Sequence, residues 1–270
     1  MQFMNFELAR RLEKAEAFAG RACAEVAFRL QPALGVAIEE IAGGIAVFTG
    51  IGSPLTQAVG IGLDGPVSDE ELDQLEEFYA LRGAPVALEI CPLVDVSLYQ
   101  KLAKRGYQLS EVSNVLFRQF TGGESFASSG AGVTVRPAST EEEKLWALTV
   151  AQGFAEHFPV VQSILDVMVG FFHRADACCF LAFVEKEVAG GAVVSAHDGV
   201  GGLFGASTLP AFRSRGVQTA LLAARLAWAS DRGCDIAVCI AQPGSVSQRN
   251  IERFGFRVVY TRTKLVRERV

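Results

Sequence analysis

Two arginines stand directly before a long apolar helix pattern, at a place where acidic residues are usual. The segment reads FRSRGVQTALL over residues 212–222, with Arg213, Arg215 and Gly216 ahead of the helix. A helix N-terminus carries partial positive charge and amide N–H groups without internal partners, so it normally attracts acids. Glycine lets a ligand approach the backbone, and arginine donates well to phosphate oxygens. The pattern predicts that a diphosphate is the missing cap of this helix.

A second glycine-rich turn, GIGLDG at residues 60–65, fits G-x-G-x-x-G but has the opposite charge. It carries Asp64, and the helix after it opens with Ser68-Asp69-Glu70-Glu71, which is typical of a capping box. These acids satisfy the helix amides, and each would repel a nearby phosphate by about 1 kcal/mol even in high dielectric. Pro66 also lacks an amide N–H. We expect this turn to be structural rather than a dinucleotide site.

The chain reads as two similar halves around these turns. RGAPVALEICP (82–92) is similar to RGCDIAVCIAQP (232–243), and YQKLAKRGYQLSEVSNVLFR (99–118) is similar to NIERFGFRVVYTRTKLVR (250–267). The matched segments occur in the same order and at nearly the same spacing. This agreement favours an internal duplication.

The periodicity of the chain predicts an α/β fold. Helix patterns alternate with short apolar runs, which are separated by turns such as Glu185-Lys186-Glu187 and His197-Asp198-Gly199. We expect mixed, mostly antiparallel sheets flanked by helices, with a strand–helix–strand crossover in the second half. The small, polar stretch TGGESFASSGAG predicts a linker at residues 121–132, which places the two domains at residues 1–120 and 133–270.

The composition limits the partners of the protein. Its 270 residues include 25 Lys and Arg against 30 Asp and Glu, a formal charge of −5, without a long basic run. This argues against nucleic acid or an anionic membrane as the partner. The sequence shows neither a signal-peptide core nor a membrane-spanning stretch, its six cysteines form no CxxC pair, and its three histidines have no HxxxH spacing. We expect a cytoplasmic monomer or homodimer with free thiols and no metal site.

The segment STLPAFRSRGVQTAL at residues 207–221 resembles the acetyl-CoA signature of the GNAT (GCN5-related) N-acetyltransferases. In that signature a strand and a proline turn lead into Arg/Gln-x-x-Gly-x-Gly/Ala at a helix start. Arg213 and Gly216 match it, whereas Gln218 replaces the usual small residue. The segment NIERFGF at residues 250–256 is similar to the second motif of the family, a short helix closing on Gly-Phe.

The resemblance covers about residues 133–268. If the two halves are duplicates, the first half resembles a degenerate GNAT domain, so that we expect two GNAT-like domains. The resemblance implies acetyl-CoA as acyl donor and direct attack by the amine of a small-molecule or amino-acid-like acceptor, with protein lysine as a less favoured acceptor. The implied cofactor-binding residues belong to the strand, the turn, the helix start and the second motif: Ser207, Thr208, Leu209, Arg213, Arg215, Gly216, Val217, Gln218, Thr219, Asn250 and Phe254.

The catalytic groups are less well specified by the resemblance. Many GNATs have a tyrosine four residues before the Gly of Gly-Phe, which protonates the leaving thiolate, and this chain has Ile251 there. Ser247 and Asn250 are the nearest polar candidates for that role. Glu156 and His157 are candidates for the general base, and a solvated loop pair is the alternative reading of both. The missing tyrosine also leaves open a non-catalytic acyl-CoA sensor or interaction protein.

Overall fold

The computed structural model of the protein describes residues 4–126, 132–155 and 160–268. Strands flanked by helices form two compact units, which confirms the predicted α/β class. No helix among these residues has the length and apolar character needed to cross a membrane. The first unit consists of Met1–Leu116, Ala241–Pro243 and Val258–Val270, and the second of Phe117–Ile240 and Gly244–Arg257.

The first unit opens with a long amphipathic helix that begins where Asn5 Oδ1 accepts a hydrogen bond from Leu8 N at 2.8 Å. A two-residue turn with positive φ at Ala42 (+49°) and Gly43 (+79°) joins its first two strands, as the hairpin geometry requires. The elements up to the linker are α1 (Phe6–Leu30), β1 (Ala37–Ile41), β2 (Gly44–Phe48), β3 (Gln57–Val59), α2 (Asp69–Ala80), β4 (Val86–Ile90), α3 (Val96–Lys104) and β5 (Gln108–Gln119).

The second unit contains an antiparallel meander followed by a parallel crossover. Its two hairpins turn at Glu185-Lys186 and Asp198-Gly199, all four with positive φ, which confirms both predicted turns. The elements are β6 (Val133–Pro137), α4 (Glu143–Gly153), α5 (Gln162–Phe172), β7 (Ala177–Val184), β8 (Glu187–His197), β9 (Val200–Thr208), α6 (Val217–Asp231), β10 (Ile236–Ala241) and α7 (Val246–Glu252).

The last strand, β11 (Arg257–Arg267), packs almost entirely in the first unit. It pairs antiparallel with β4, and its Arg262 is 2% exposed and forms ion pairs with Glu13 at 3.2 Å and Glu16 at 2.8 Å. The predicted division assigned residues 133–270 to the second domain, and the compact units differ from it here. These are contacts between distant parts of the chain, because Glu13 and Glu16 lie about 250 positions before Arg262.

The two units share one structural motif. In the first, β3, α2 and β4 form a parallel strand–helix–strand crossover, and in the second, β9, α6 and β10 form another. Each crossover helix begins after a glycine-containing turn. The turns that the sequence contrasts therefore occupy equivalent places in their units.

Candidate active site

Strands β9 and β10 separate before β9 ends. In the described structure, their parallel ladder joins Val200–Leu203 to Ile236–Cys239, whereas β9 continues to Thr208 and stays paired with β8. One edge of residues 204–208 is thus paired with β8, and the other lies beyond the parallel ladder. Backbone groups on such an edge can pair with an extended ligand as a further strand would.

A β-bulge bends β9 within this segment. The pairing with β8 shifts register between Gly191 and Val193, so that β9 has one residue more than β8 there. Gly205 has φ of +50°, the left-handed conformation that glycine adopts without strain. Opposite the bulge, the carbonyl of Ala192 accepts a hydrogen bond from Trp146 Nε1 at 3.2 Å. A buried side chain of α4 therefore fixes the distorted part of the sheet.

The last two residues of β9 differ in what their hydroxyl groups contact. Ser207 is 4% exposed and its Oγ donates to the carbonyl of Val150 at 3.0 Å, so this hydroxyl holds β9 against α4 and does not face a ligand. Thr208 Oγ1 is buried and has no hydrogen-bond partner among the described residues. A buried hydroxyl left in that state destabilises a protein by roughly 1–3 kcal/mol. Thr208 therefore offers a polar contact to a ligand.

The turn between β9 and α6 brings two cations to the surface. Ser214 (φ +60°) and Gly216 (φ +83°) have left-handed backbone conformations, and Arg213 and Arg215 are exposed. Nη2 of Arg215 lies 2.8 Å from Oε1 of Glu185 in the facing hairpin. An exposed ion pair is worth at most about 1 kcal/mol. A ligand phosphate can therefore compete with Glu185 for Arg215.

Helix α6 begins without a side-chain cap, as the sequence predicts. Gly216 occupies the N-cap position, no side chain of the described residues accepts from the first turn, and that turn contains no acid. Val217 is buried, and Gln218 and Thr219 are half-buried. The helix start therefore presents its amides and its dipole to whatever lies before it.

The start of α2, unlike that of α6, is capped by side chains, and the predicted capping box is present. Ser68 Oγ accepts from Glu71 N at 3.1 Å, and Glu71 Oε2 accepts from Ser68 N at 2.8 Å. Arg105 and Lys101 both lie 3.2 Å from Asp69, and the hydrogen bond from Arg105 holds the pKa of Asp69 below its usual value. The amides of Ser68 and Glu71 and the carboxylates of Asp69 and Glu71 thus have partners within the protein.

Helix α7 carries the residues of the second motif. Ile251 is 4% exposed and has no proton to donate. Oδ1 of the half-buried Asn250 accepts from Arg253 at 3.2 Å, and Ser247 is exposed. Three residues apart on the helix, Ser247 and Asn250 share one face. Phe254, just after the helix, is half-buried.

The candidate bases Glu156 and His157 lie outside the described residues. The helices before and after them are joined by a contact of 2.9 Å between Nε2 of His173 and Oε2 of Glu143. In residues 4–126, 132–155 and 160–268, no group of three His, Cys, Asp or Glu side chains could hold a metal ion.

Sequence reasoning missed Arg225, which lies in the middle of α6 and is 2% exposed. Its Nε donates to the carbonyl of Leu221 at 3.2 Å and its Nη1 to the carbonyl of Phe204 at 3.4 Å. Burial lowers the pKa of Arg225 to about 10. The signal was available, because a single cation interrupts the otherwise apolar run ALLAARLAWA.

Residues 144–256 match the model of the acetyltransferase (GNAT) family. This segment is a GNAT domain. It includes the separating strands, the cationic turn and both motif helices, and the family transfers acetyl groups from acetyl-CoA. No curated protein matches the chain in sequence.

Solved structures resemble the chain well beyond the GNAT domain. A GCN5-related N-acetyltransferase from Kribbella flavida has a TM-score of 0.65 at 18% identity, covering 91% of this chain and 95% of its own. A tandem GNAT protein from the clavulanic acid biosynthesis pathway has a TM-score of 0.57 at 12% identity, covering 83% and 78%. A GCN5-related N-acetyltransferase from Sphaerobacter thermophilus has a TM-score of 0.55 at 17% identity, covering 74% and 65%. These likenesses concern the fold, and they confirm the tandem GNAT-like architecture.

Proposed function

We propose that this protein transfers an acetyl group from acetyl-CoA to the amine of a small-molecule or amino-acid-like acceptor. The observation that carries the proposal is the start of α6, where Gly216 replaces a capping side chain and Arg213 and Arg215 replace the usual acids. A diphosphate is the group that such a helix start lacks. The buried hydroxyl of Thr208 on the adjoining strand, which has no partner among the residues described, supports the same ligand.

The residues proposed to hold acetyl-CoA fall into groups according to the part of the ligand that they would contact. The open edge of β9 at Thr208 would pair with the extended arm of the donor through backbone groups. Leu209 would adjoin that arm without pairing with it, because its amide donates to the carbonyl of Ala189 and its carbonyl accepts from the amide of Phe212. The amides of α6 and the two arginines would receive the diphosphate, and Asn250 and Phe254 would flank the thiol end. Ser207 contributes by holding β9 to α4, since its hydroxyl is engaged there. The turn and helix residues are Arg213, Arg215, Gly216, Val217, Gln218 and Thr219.

The chemistry proposed for the chain is mainly positioning. Acetyl-CoA, when bound, supplies an activated thioester carbonyl, and a free amine attacks such a carbonyl directly. The protein must orient the two, exclude water and accept the proton of the amine. Glu156 and His157 stay the candidates for accepting that proton. Ser247 and Asn250 are the hydrogen-bond donors proposed for the helix that offers only Ile251 at the usual position.

A non-catalytic acyl-CoA sensor is the second candidate, and buried Ile251 is the observation that favours it. Both candidates bind acetyl-CoA, so binding alone does not separate them. Release of free thiol from acetyl-CoA, measured with a panel of small amines, does. Acceptor-dependent release by at least one amine supports the enzyme, whereas tight binding without such release by any amine supports the sensor.

Charge reversal at the turn tests the binding site. Arg215→Glu is expected to weaken acetyl-CoA binding at least tenfold by calorimetry, since about 1.4 kcal/mol is lost when a close attraction becomes a repulsion. Arg29→Glu makes the same charge change at an exposed position of α1 and should leave affinity unchanged. Equal affinities of the two variants would refute the placement of the diphosphate.

Thr208→Val tests the strand half of the site separately. Valine keeps the shape of threonine and removes the buried hydroxyl, so the unliganded protein should be at least as stable as the wild type. Acetyl-CoA affinity should fall several-fold because a ligand contact is lost. A stabilised variant with unchanged affinity would show that the hydroxyl has no part in binding.

A further inference from the structure

Arg225 is a buried cation without a buried anion. No carboxylate of the described residues forms an ion pair with it, and both of its hydrogen bonds go to backbone carbonyls, those of Leu221 and Phe204. Arg174, the other buried arginine of this unit, shows the usual arrangement, because Asp176 accepts from its Nε at 3.0 Å. Burying an unpaired charge is unfavourable, so its surroundings or its function must compensate for it.

The carbonyl of Phe204 lies at the point where β9 separates from β10. Phe204 follows Leu203, the last residue of β9 paired with β10, and precedes Gly205, where the bulge lies. A strand that leaves its neighbour loses hydrogen-bond partners for its backbone. Arg225 supplies a donor at the point of separation, and so fixes the direction in which the remaining peptides of β9 point.

The charge of Arg225 also acts on this edge. Its pKa of about 10 keeps the guanidinium charged at neutral pH. With no paired carboxylate to cancel it, and in a water-poor interior, its positive potential extends to the open edge of residues 204–208. Negative charge that develops on an oxygen placed along that edge is stabilised.

We infer that Arg225 is a positioning residue of the acetyl transfer: it holds β9 in its separated, bulged course and polarises an acyl carbonyl bound along the strand. The inference rests on the proposed function. Arg225 is buried and donates to the carbonyl of Phe204, so its effect is exerted through the backbone and the electric field rather than through contact with the acyl group.

Two substitutions separate charge from hydrogen bonding. Arg225→Gln removes the charge and keeps a donor, and Arg225→Lys keeps the charge with a shorter donor group. Arg174→Gln is the matched control, since it also alters a buried arginine of this unit but one paired with Asp176. Each variant is assayed for acetyl-CoA affinity, for kcat and KM with an active amine, and for the carbonyl resonance of bound acetyl-CoA labelled with carbon-13 at that carbon.

The three variants are expected to give different results. Arg225→Gln should lower kcat at least tenfold, keep acetyl-CoA affinity within threefold, and move the bound carbonyl resonance towards its free value. Arg225→Lys should keep the resonance and most of kcat, and this variant decides the question if the glutamine variant does not fold. Arg174→Gln should reduce stability without moving the resonance.

Other results overturn the inference in distinguishable ways. If the wild type does not bind acetyl-CoA, the proposed function fails and the inference falls with it. If the wild type binds and a folded Arg225→Gln variant shows an unchanged carbonyl resonance, the inference alone is wrong. The same holds if Arg225→Lys loses the resonance shift that the wild type shows.

Discussion

Replacing Gly153 by alanine is expected to disturb the fold and the candidate site together. Gly153 ends α4 against β9, where an added methyl carbon would lie 2.3 Å from Oγ and 2.5 Å from Cβ of Ser207, and 3.2 Å from the amide nitrogen of Thr208. Side chains do not pack this closely in proteins, so the helix and the strand must move apart. That movement displaces Thr208, whose hydroxyl is proposed to contact the ligand.

The size of the effect follows from two opposing contributions. Forcing a methyl group into a packed contact destabilises a protein by about 1–3 kcal/mol. Alanine in place of a helical glycine returns up to about 1 kcal/mol. We therefore expect Gly153→Ala to lower the free energy of unfolding by about 1–2 kcal/mol and to weaken acetyl-CoA binding several-fold. Urea unfolding followed by fluorescence reports on this unit through Trp146, which is buried in α4.

A double-mutant cycle with Ser207→Gly makes the reasoning refutable. Glycine at position 207 removes both close atoms, at the expense of the hydrogen bond to Val150 and of strand stability. In that background Gly153→Ala should be neutral or stabilising, which gives a coupling energy of about 2 kcal/mol. Gly20→Ala is the control, because that helical glycine has no atom within 4 Å of an added methyl, and it should stabilise the protein. Additive effects at Gly153 and Ser207, within about 0.5 kcal/mol, would refute the predicted clash.

Three further outcomes are expected. Glu185→Gln should free Arg215 and raise acetyl-CoA affinity two- to fivefold at low salt, by calorimetry, with no gain at high salt, because the exposed pair is worth at most about 1 kcal/mol. Ser68→Ala should lower the free energy of unfolding by about 1 kcal/mol in urea, since it removes the cap of α2. Burial raises the pKa of Glu13 above its usual 4.5, so the folded state binds the proton of this carboxyl more tightly than the unfolded state does. Protonation of Glu13 therefore favours folding in acid, and this contribution is lost as the pH rises. Glu13→Gln should therefore lose less stability than the wild type as the pH is raised above 4.5.

The elements of the candidate site could be predicted because their signals are local. A helix start without acids, a capping box and two-residue turns are each encoded within a few neighbouring residues, and all of them are present. The spacing of Arg213 and Gly216 before an apolar helix also sufficed to predict the turn. Such features depend on backbone conformation and on hydrogen bonds between nearby residues.

What the sequence could not predict depends on contacts between distant residues. Ser207 and Thr208 are adjacent hydroxyl residues, yet the hydroxyl of Ser207 donates to α4 and that of Thr208 has no partner in the part of the chain that the structure describes. The acceptor of the Ser207 hydroxyl is the carbonyl of Val150, which is more than 50 positions away in the chain. The final strand packs in the first unit, where Arg262 forms ion pairs with Glu13 and Glu16. Periodicity gives the type of each element, but it does not specify these partners.

The two crossovers have the same topology, but their helix starts differ in their capacity to bind an anion. Each places a helix start after a glycine-containing turn. The start of α2 is capped by Ser68 and Glu71, and cations pair with its Asp69. The start of α6 has no side-chain cap and follows two arginines. Deleting the acids of α2 alone would not create a phosphate site, because Pro66 in the turn before it still lacks an amide N–H. An anion site at a helix start requires free amides, close backbone approach and positive charge at once. The second unit combines all three, and so the proposed chemistry is assigned to it.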